Sequence, residues 1–132
     1  IEATAFGTKM IVETFSKTDL GVHRIRSSGG LTKNDLLLQI YADVTGLPFE
    51  ICPTEQASGL GAAILGALAG GAYPTIGEAV AAIAPLPSQT ITPQTNHRSV
   101  YDKLYKEYVR LVNWFGQDED SPLKRLRALR SM

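Results

Sequence analysis

Ser27-Ser28-Gly29-Gly30-Leu31-Thr32-Lys33-Asn34-Asp35 decides the fold of this chain. Ahead of it, His23-Arg-Ile-Arg-Ser-Ser28 alternates as a short strand does, and the paired glycines end that strand. Behind it, Thr32 with Asp35 approximates a capping box, and Leu36, Leu37, Ile40, Tyr41 and Val44 form an apolar helical face that stops at Gly46. Leu47-Pro-Phe-Glu-Ile-Cys52 then has the length and apolarity of a second strand, closed by Pro53. Strand, glycine turn, helix, strand is a crossover unit, so the two strands should lie parallel.

Working outward, Ile1 to Lys17 carries Ala5, Met10, Ile11, Val12 and Phe15 near a 3.6 period and predicts a first helix without an N-terminal cap. Leu20 and Gly21 turn the chain. Thr54 with Glu55 is expected to open a helix through Ala69, in which Ala62, Gly66 and Gly70 recur every fourth residue as a smooth packing face. This helix is expected to be buried. Thr75 to Ala84 predicts a short helix, and residues 85–96, with three prolines and many polar side chains, predict a polar connection. Ser99 should cap a strong helix with Tyr101, Leu104, Tyr105, Tyr108, Leu111, Val112 and Phe115 on its apolar side and Gly116 as its stop. After a loop from Gln117 to Ser121, Pro122 should open a docked terminal helix packed through Leu123, Leu126 and Leu129, with Lys124, Arg125, Arg127 and Arg130 complementing its dipole.

Composition bounds the function. The chain has 132 residues, 13 Lys+Arg against 13 Asp+Glu and one cysteine. A net charge of zero gives no electrostatic reason to bind nucleic acid or an anionic membrane. Residues 56–77 carry no charge, yet they are dominated by Gly and Ala and interrupted by Pro74, so a membrane span is not expected. Lone Cys52 cannot form an internal disulfide, which makes a reducing, cytoplasmic setting the default. Two parallel strands rarely stand alone, and the uncapped first helix and missing initiator Met point the same way: the chain is expected to be part of a larger protein.

Chemistry-bearing patterns are sparse. The Gly59-Leu-Gly61 segment lacks the Gly-Lys-Ser/Thr of a phosphate loop, and Ile64 breaks the dinucleotide spacing. One Cys with distant His23 and His97 is too few ligands for zinc, and no Gly-x-Ser-x-Gly elbow occurs. Asp35 and Asp43 belong to a solvated helix and Glu55 to a helix start, so none is assigned as a base. The tyrosines read as a packing face. The Gly29–Gly30 turn can let a ligand approach the backbone, or can simply join a strand to a helix.

Ser28-Gly-Gly-Leu-Thr-Lys-Asn34, Gln39-Ile-Tyr-Ala-Asp-Val-Thr-Gly46 and Gly59-Leu-Gly-Ala-Ala63 resemble the C-terminal domain of FGGY-family carbohydrate kinases. Glu2-Ala-Thr-Ala-Phe-Gly7, Val100-Tyr-Asp-Lys-Leu-Tyr-Lys-Glu-Tyr108 and Leu123-Lys-Arg-Leu-Arg-Ala-Leu129 are similar to the L-ribulokinase branch, whose members serve arabinose catabolism. The resemblance implies an α/β fold, an incomplete RNase H-like C-terminal domain of the actin-like ATPase superfamily, with short parallel strands and a helical C-terminal extension. Residues 1–84 would end that domain, and residues 85–132 would be its polar linker and helical extension. It also implies a parent enzyme that moves the γ-phosphoryl of ATP, with Mg²⁺, to a pentulose. Gly29, Gly30 and Asn34 would lie against the adenosine, with Gly30 and Asn34 lining an open groove at the end of the first strand. The catalytic aspartate and the sugar-binding residues would lie upstream, so the upstream kinase domain is an expected partner, this chain alone is expected to be inactive, and homo-oligomerisation is left open. An interaction module without activity and an independent small-nucleotide binder are the alternatives.

Overall fold

In this computed structural model residues 1–19, 21–118 and 120–130 are described, the side chain of Gln117 excepted. The expected turn at Leu20 and the Glu119 position of the following loop lie outside them. Six helices and three short strands follow in the order α1 (Glu2–Ser16), β1 (Ile25–Ser27), α2 (Asp35–Thr45), β2 (Phe49–Ile51), α3 (Ala57–Ala69), α4 (Ile76–Ile83), β3 (Gln89–Ile91), α5 (Arg98–Val112) and α6 (Pro122–Arg130). A 3₁₀ turn, Gly29–Lys33, joins β1 to α2, and a π-turn, Asn113–Gln117, extends α5.

The crossover forms as the sequence implies: β1 and β2 pair in parallel, with Ile25 opposite Phe49, Arg26 opposite Glu50 and Ser27 opposite Ile51. The connection at 85–96 departs from expectation, because Gln89–Ile91 within it is a strand. β3 pairs antiparallel with β2, Ile91 opposite Phe49, so the sheet is mixed and not purely parallel. The strand escaped its pattern because Gln89 and Thr90 are exposed, and Ile91 alone turns its apolar side inward.

Alternation sorts the sheet into two faces. Phe49, Ile51 and Ile91 join Leu38 and Ala42 of α2 in one core cluster, with Ile25, Leu31 and Tyr41 at its margin. Arg26, Glu50 and Thr90 form a polar row on the other face. A second cluster lies beyond α2, where Ala5 and Phe6 of α1 meet Val44, with Ile40, Tyr41, Tyr101, Tyr105 and Tyr108 around them. Phe6 sits at the centre: its ring centroid lies 6.5, 5.9 and 5.6 Å from those of Tyr101, Tyr105 and Tyr108, so three side chains of α5 grip one side chain of α1. The Tyr105 hydroxyl donates to Glu13 at 2.6 Å, and Lys9 pairs with Asp102 at 3.2 Å, closing both sides of the contact.

Asp43 is a correction. It was expected on a solvated helix face, yet it is buried, because its Oδ1 accepts from Gln39 Nε2 and from the backbone N–H of Gln94, each at 2.7 Å. Gln39 Nε2 also donates to the Thr92 carbonyl at 3.0 Å. The chain leaving β3 is thereby fastened to α2. Buried acids persist where they are hydrogen-bonded, and Oδ1 holds two such bonds.

Two helices are more open than expected. In α3 only Ile64 is buried, and Ala62, Gly66 and Gly70 face outward, since α4 is its main neighbour and covers one side only. In α6 Leu123, Leu126 and Leu129 are exposed, so the helix is not docked through that stripe. Ser121 caps it instead, its Oγ accepting from Lys124 N at 3.3 Å, with Pro122 at the first helical position as expected. Ser99 does not cap α5; His97 holds that position without a side-chain bond. Gly116 does not stop the helix either, because the π-turn carries it to Gln117.

Phe6→Ala should therefore destabilise the domain by about 3–5 kcal/mol, the usual cost of removing a buried aromatic ring, read as a lowered denaturation midpoint.

Candidate functional site

The C-terminal ends of β1 and β2 lie side by side, and the chain leaves each in a loop. After β1, Ser28 is extended and Gly29 takes the left-handed conformation, φ 77°. That angle is open to glycine at little cost and strained for other residues, so it allows the chain to fold straight into the 3₁₀ turn. A Cβ placed on Gly29 or on Gly30 would meet nothing within 4 Å, so the space over this backbone is empty. Gly30 and Asn34 are exposed and Gly29 is half-buried; no described element covers the turn.

The helix cap differs from the expected one. Thr32 does not cap α2: its Oγ1 donates to the Gly29 carbonyl at 2.7 Å, inside the turn. Asn34 is the cap, its Oδ1 accepting from Leu37 N at 3.0 Å. The 3₁₀ turn consumes the residues between strand and helix, which moves the helix start two positions along. Fixing Oδ1 in this way leaves the Asn34 amide nitrogen as the group it can offer to a ligand.

The loop after β2 braces the turn. Thr54 and Glu55 were expected to open α3, which begins at Ala57 without a side-chain cap. They serve the neighbouring loop instead: the Thr54 carbonyl accepts from Gly29 N at 3.2 Å, and Glu55 pairs with Lys33 at 2.8 Å. Spacing within one helix could not reveal this, because the partners belong to different elements.

Beside the turn a hollow of about 160 Å³ opens between the strand ends and α3, lined by Ser27, Ser28, Cys52, Thr54, Leu60 and Pro85 among others. Small-molecule pockets commonly hold about 300–1,000 Å³, so the hollow admits a part of a ligand or a few waters. Gly29, Gly30 and Asn34 lie on the turn next to it and do not line it. Cys52 is a free thiol, half-buried in its wall. Among the described residues no group of three His, Cys, Asp or Glu side chains is arranged to hold a metal ion, and no helix is long and apolar enough to cross a membrane.

On the open sheet face Glu50 receives Arg26 Nε at 2.8 Å and Arg24 Nη1 at 3.3 Å. The hydrogen bond from Arg26 is the largest influence on the Glu50 carboxyl and holds it below the usual carboxylate range; desolvation opposes it, and the charges of both arginines add to the lowering. Burial, then the bond to Glu13, pushes the Tyr105 hydroxyl upward.

The crossover thus carries a left-handed glycine turn at its strand ends, open above Gly29 and Gly30 and braced from the next loop. The chain belongs to the FGGY family of carbohydrate kinases: residues 1–70 match that family's C-terminal domain. Within the family it is similar to the ribulokinase of Mycolicibacterium smegmatis, 47% identical over 132 residues, which cover 99% of this chain and 23% of that protein. The ribulokinase of Halalkalibacterium halodurans is 40% identical over 137 residues, covering all of this chain and 24% of the relative. This chain thus spans about a quarter of the length of the curated relatives it matches. In three dimensions it is similar to xylulose kinase from Rhodospirillum rubrum, with a TM-score of 0.69 and 27% identity over 84% of this chain and 22% of that one. The fold is that of FGGY sugar kinases, the actin-like ATPase fold.

Glu50, with its lowered carboxyl, contributes stability that is present above the ordinary carboxylate pKa and is lost as pH falls through the lowered value. Glu50→Gln should flatten that acid-side decline, measured as the pH dependence of the denaturation midpoint.

Proposed function

We propose that this chain is the nucleotide-side part of the C-terminal domain of an ATP-dependent sugar kinase acting on a pentulose, as the ribulokinases it resembles are named for. The observation that carries the proposal is the open turn, where Gly29 and Gly30 leave empty space above bare backbone and Asn34 stands at its end. A flat heterocycle with its ribose needs such an approach, and side chains at either glycine would occupy it.

In this proposal the two glycines give the adenosine of ATP its seat, and the Asn34 amide donates to an acceptor on the nucleoside while its oxygen stays on Leu37 N. Bound ATP supplies the γ-phosphoryl group, which passes to a sugar hydroxyl. Phosphoryl transfer of this kind depends on positioning and charge stabilisation across a whole cleft. The aspartate that takes the hydroxyl proton, the sugar contacts and the ligands of Mg²⁺ are assigned to the upstream kinase domain. The described residues offer no group of three His, Cys, Asp or Glu side chains for the metal. On this account the chain alone does not catalyse, and the parent enzyme works in the cytoplasm on ATP and a pentulose.

Asp is as good a helix cap as Asn, whereas Ala is not. Asn34→Asp in the full-length protein should therefore keep the thermal midpoint and weaken ATP binding at least about tenfold, because an acceptor replaces the donor and one buried partner goes unmet. Asn34→Ala should lose both, with about 1 kcal/mol of helix stability. Isothermal titration decides: an Asn34→Asp protein that binds ATP as the wild type does removes the nucleotide role from this turn.

A further inference from the structure

We propose that Thr32, Lys33 and Glu55 are positioning residues for nucleotide binding, acting by holding the Gly29–Gly30 turn, with Gly29 left-handed, in its open form before any ligand arrives. The inference rests on the function proposed above and adds residues to it that touch no ligand.

A five-residue 3₁₀ turn is short of internal bonds and has poorer hydrogen-bond geometry than an α-helix, so by itself it is an unreliable seat. Glycine at two successive positions adds conformational freedom that must be lost when a ligand is bound. Three contacts remove that freedom in advance. Thr32 Oγ1 donates to the Gly29 carbonyl at 2.7 Å, which fixes the orientation of the Gly29–Gly30 peptide plane. The Gly29 N–H is fastened to the Thr54 carbonyl at 3.2 Å, which ties the start of the turn to the loop after β2. Lys33 Nζ meets Glu55 Oε1 at 2.8 Å and ties the end of the turn to the same loop. The turn is thus held at its start, within and at its end, and two of the three contacts reach the Pro53–Gln56 loop. None of the Thr32, Lys33, Thr54 and Glu55 groups in these contacts comes within 4 Å of a Cβ placed on either glycine. Their effect on a ligand is to spare it the cost of ordering the turn, which is preorganisation.

The contributions differ in size. The Thr32 bond is partly buried, and removing a hydrogen bond of this kind corresponds to about a 2–10-fold change in affinity. The Lys33–Glu55 pair has both side chains well exposed and should contribute about twofold at low salt and less as salt is added.

The test is ATP affinity by calorimetry and KM for ATP with L-ribulose as acceptor, on the full-length protein, with the thermal midpoint recorded for each variant. Thr32→Val keeps the shape and deletes the hydroxyl; it should raise Kd and KM for ATP about 2–10-fold and leave kcat within twofold. Thr32→Ser, which restores the hydroxyl, should recover the wild-type values. Lys33→Glu and Glu55→Lys should each weaken ATP binding about twofold, and the double reversal should restore it. A residue with only a structural role would lower the thermal midpoint and leave ATP affinity unchanged. Unchanged affinity in Thr32→Val and in both single reversals, in a protein where Asn34→Asp still weakens binding at least about tenfold, overturns this inference and leaves the nucleotide site standing. Failure of Thr32→Ser to recover Thr32→Val overturns the role of the hydroxyl. An Asn34→Asp protein with wild-type ATP affinity overturns both.

Discussion

Helix α2 has to bury two faces at once, and the rest of the molecule is arranged around that constraint. Leu38 and Ala42 press on the sheet through Phe49, Ile51 and Ile91. Val44, with Ile40 and Tyr41, presses the other way on Ala5 and Phe6 and, through them, on the tyrosines of α5. Tyr41 belongs to both sides, with its ring edge-on to Phe49 at 6.0 Å. A helix packed on two sides cannot slide or rotate to suit one of them, so its ends become fixed points. Asn34 fixes its start, and Gly46, left-handed at φ 72°, fixes its end. The candidate site hangs from the first of these points. Its precision is inherited from a core several residues away.

How much of this was written in the chain can be judged element by element. The crossover was legible because Gly29–Gly30 and Gly46 punctuate an apolar helical period between two alternating segments. The short helix from Thr75 to Ala84 was legible and forms as Ile76–Ile83, and Thr75 caps it, its Oγ1 accepting from Glu78 N at 3.3 Å. The tyrosine face of α5 was legible because Tyr101, Tyr105 and Tyr108 share one side. What the pattern could not carry were contacts between distant segments. β3 offers one inward side chain in a polar, proline-flanked run, and a single apolar residue has no period. Asp43 looks solvated on a helical wheel until Gln94 arrives from 51 residues away. Burial of α3 was overstated for the converse reason: uniform apolarity says that a surface wants covering without saying by what.

The site shows the same division. Gly29, Gly30 and Asn34 were picked out by resemblance, and the fold places them together on an exposed turn. The braces behind them, Thr32, Thr54 and Glu55, looked from sequence like caps on two separate helices. Thr32 bonds back into its own turn, and Thr54, through its carbonyl, and Glu55 hold the neighbouring loop. Capping residues are small polar side chains in turns, and the same chemistry that closes a helix end closes a loop contact when a partner lies nearer.

The π-turn that continues α5 changes what lies beyond it. Asp118 N bonds to the Asn113 carbonyl at 3.0 Å, one residue further back than an α-helix would reach. Each residue of an α-helix turns the chain by about 100°, so one added residue throws every later side chain out of phase with the stripe before it. Phe115 would follow Tyr108 and Val112 into the apolar seam on an unbroken helix; it stands 41% exposed, against Trp114 at a centroid distance of 4.7 Å. The turn acts as a dislocation in a periodic pattern. Upstream of it the aromatic residues serve the core, and within it Trp114 and Phe115 are released to the surface, with their chemical character unchanged and only their angular position altered.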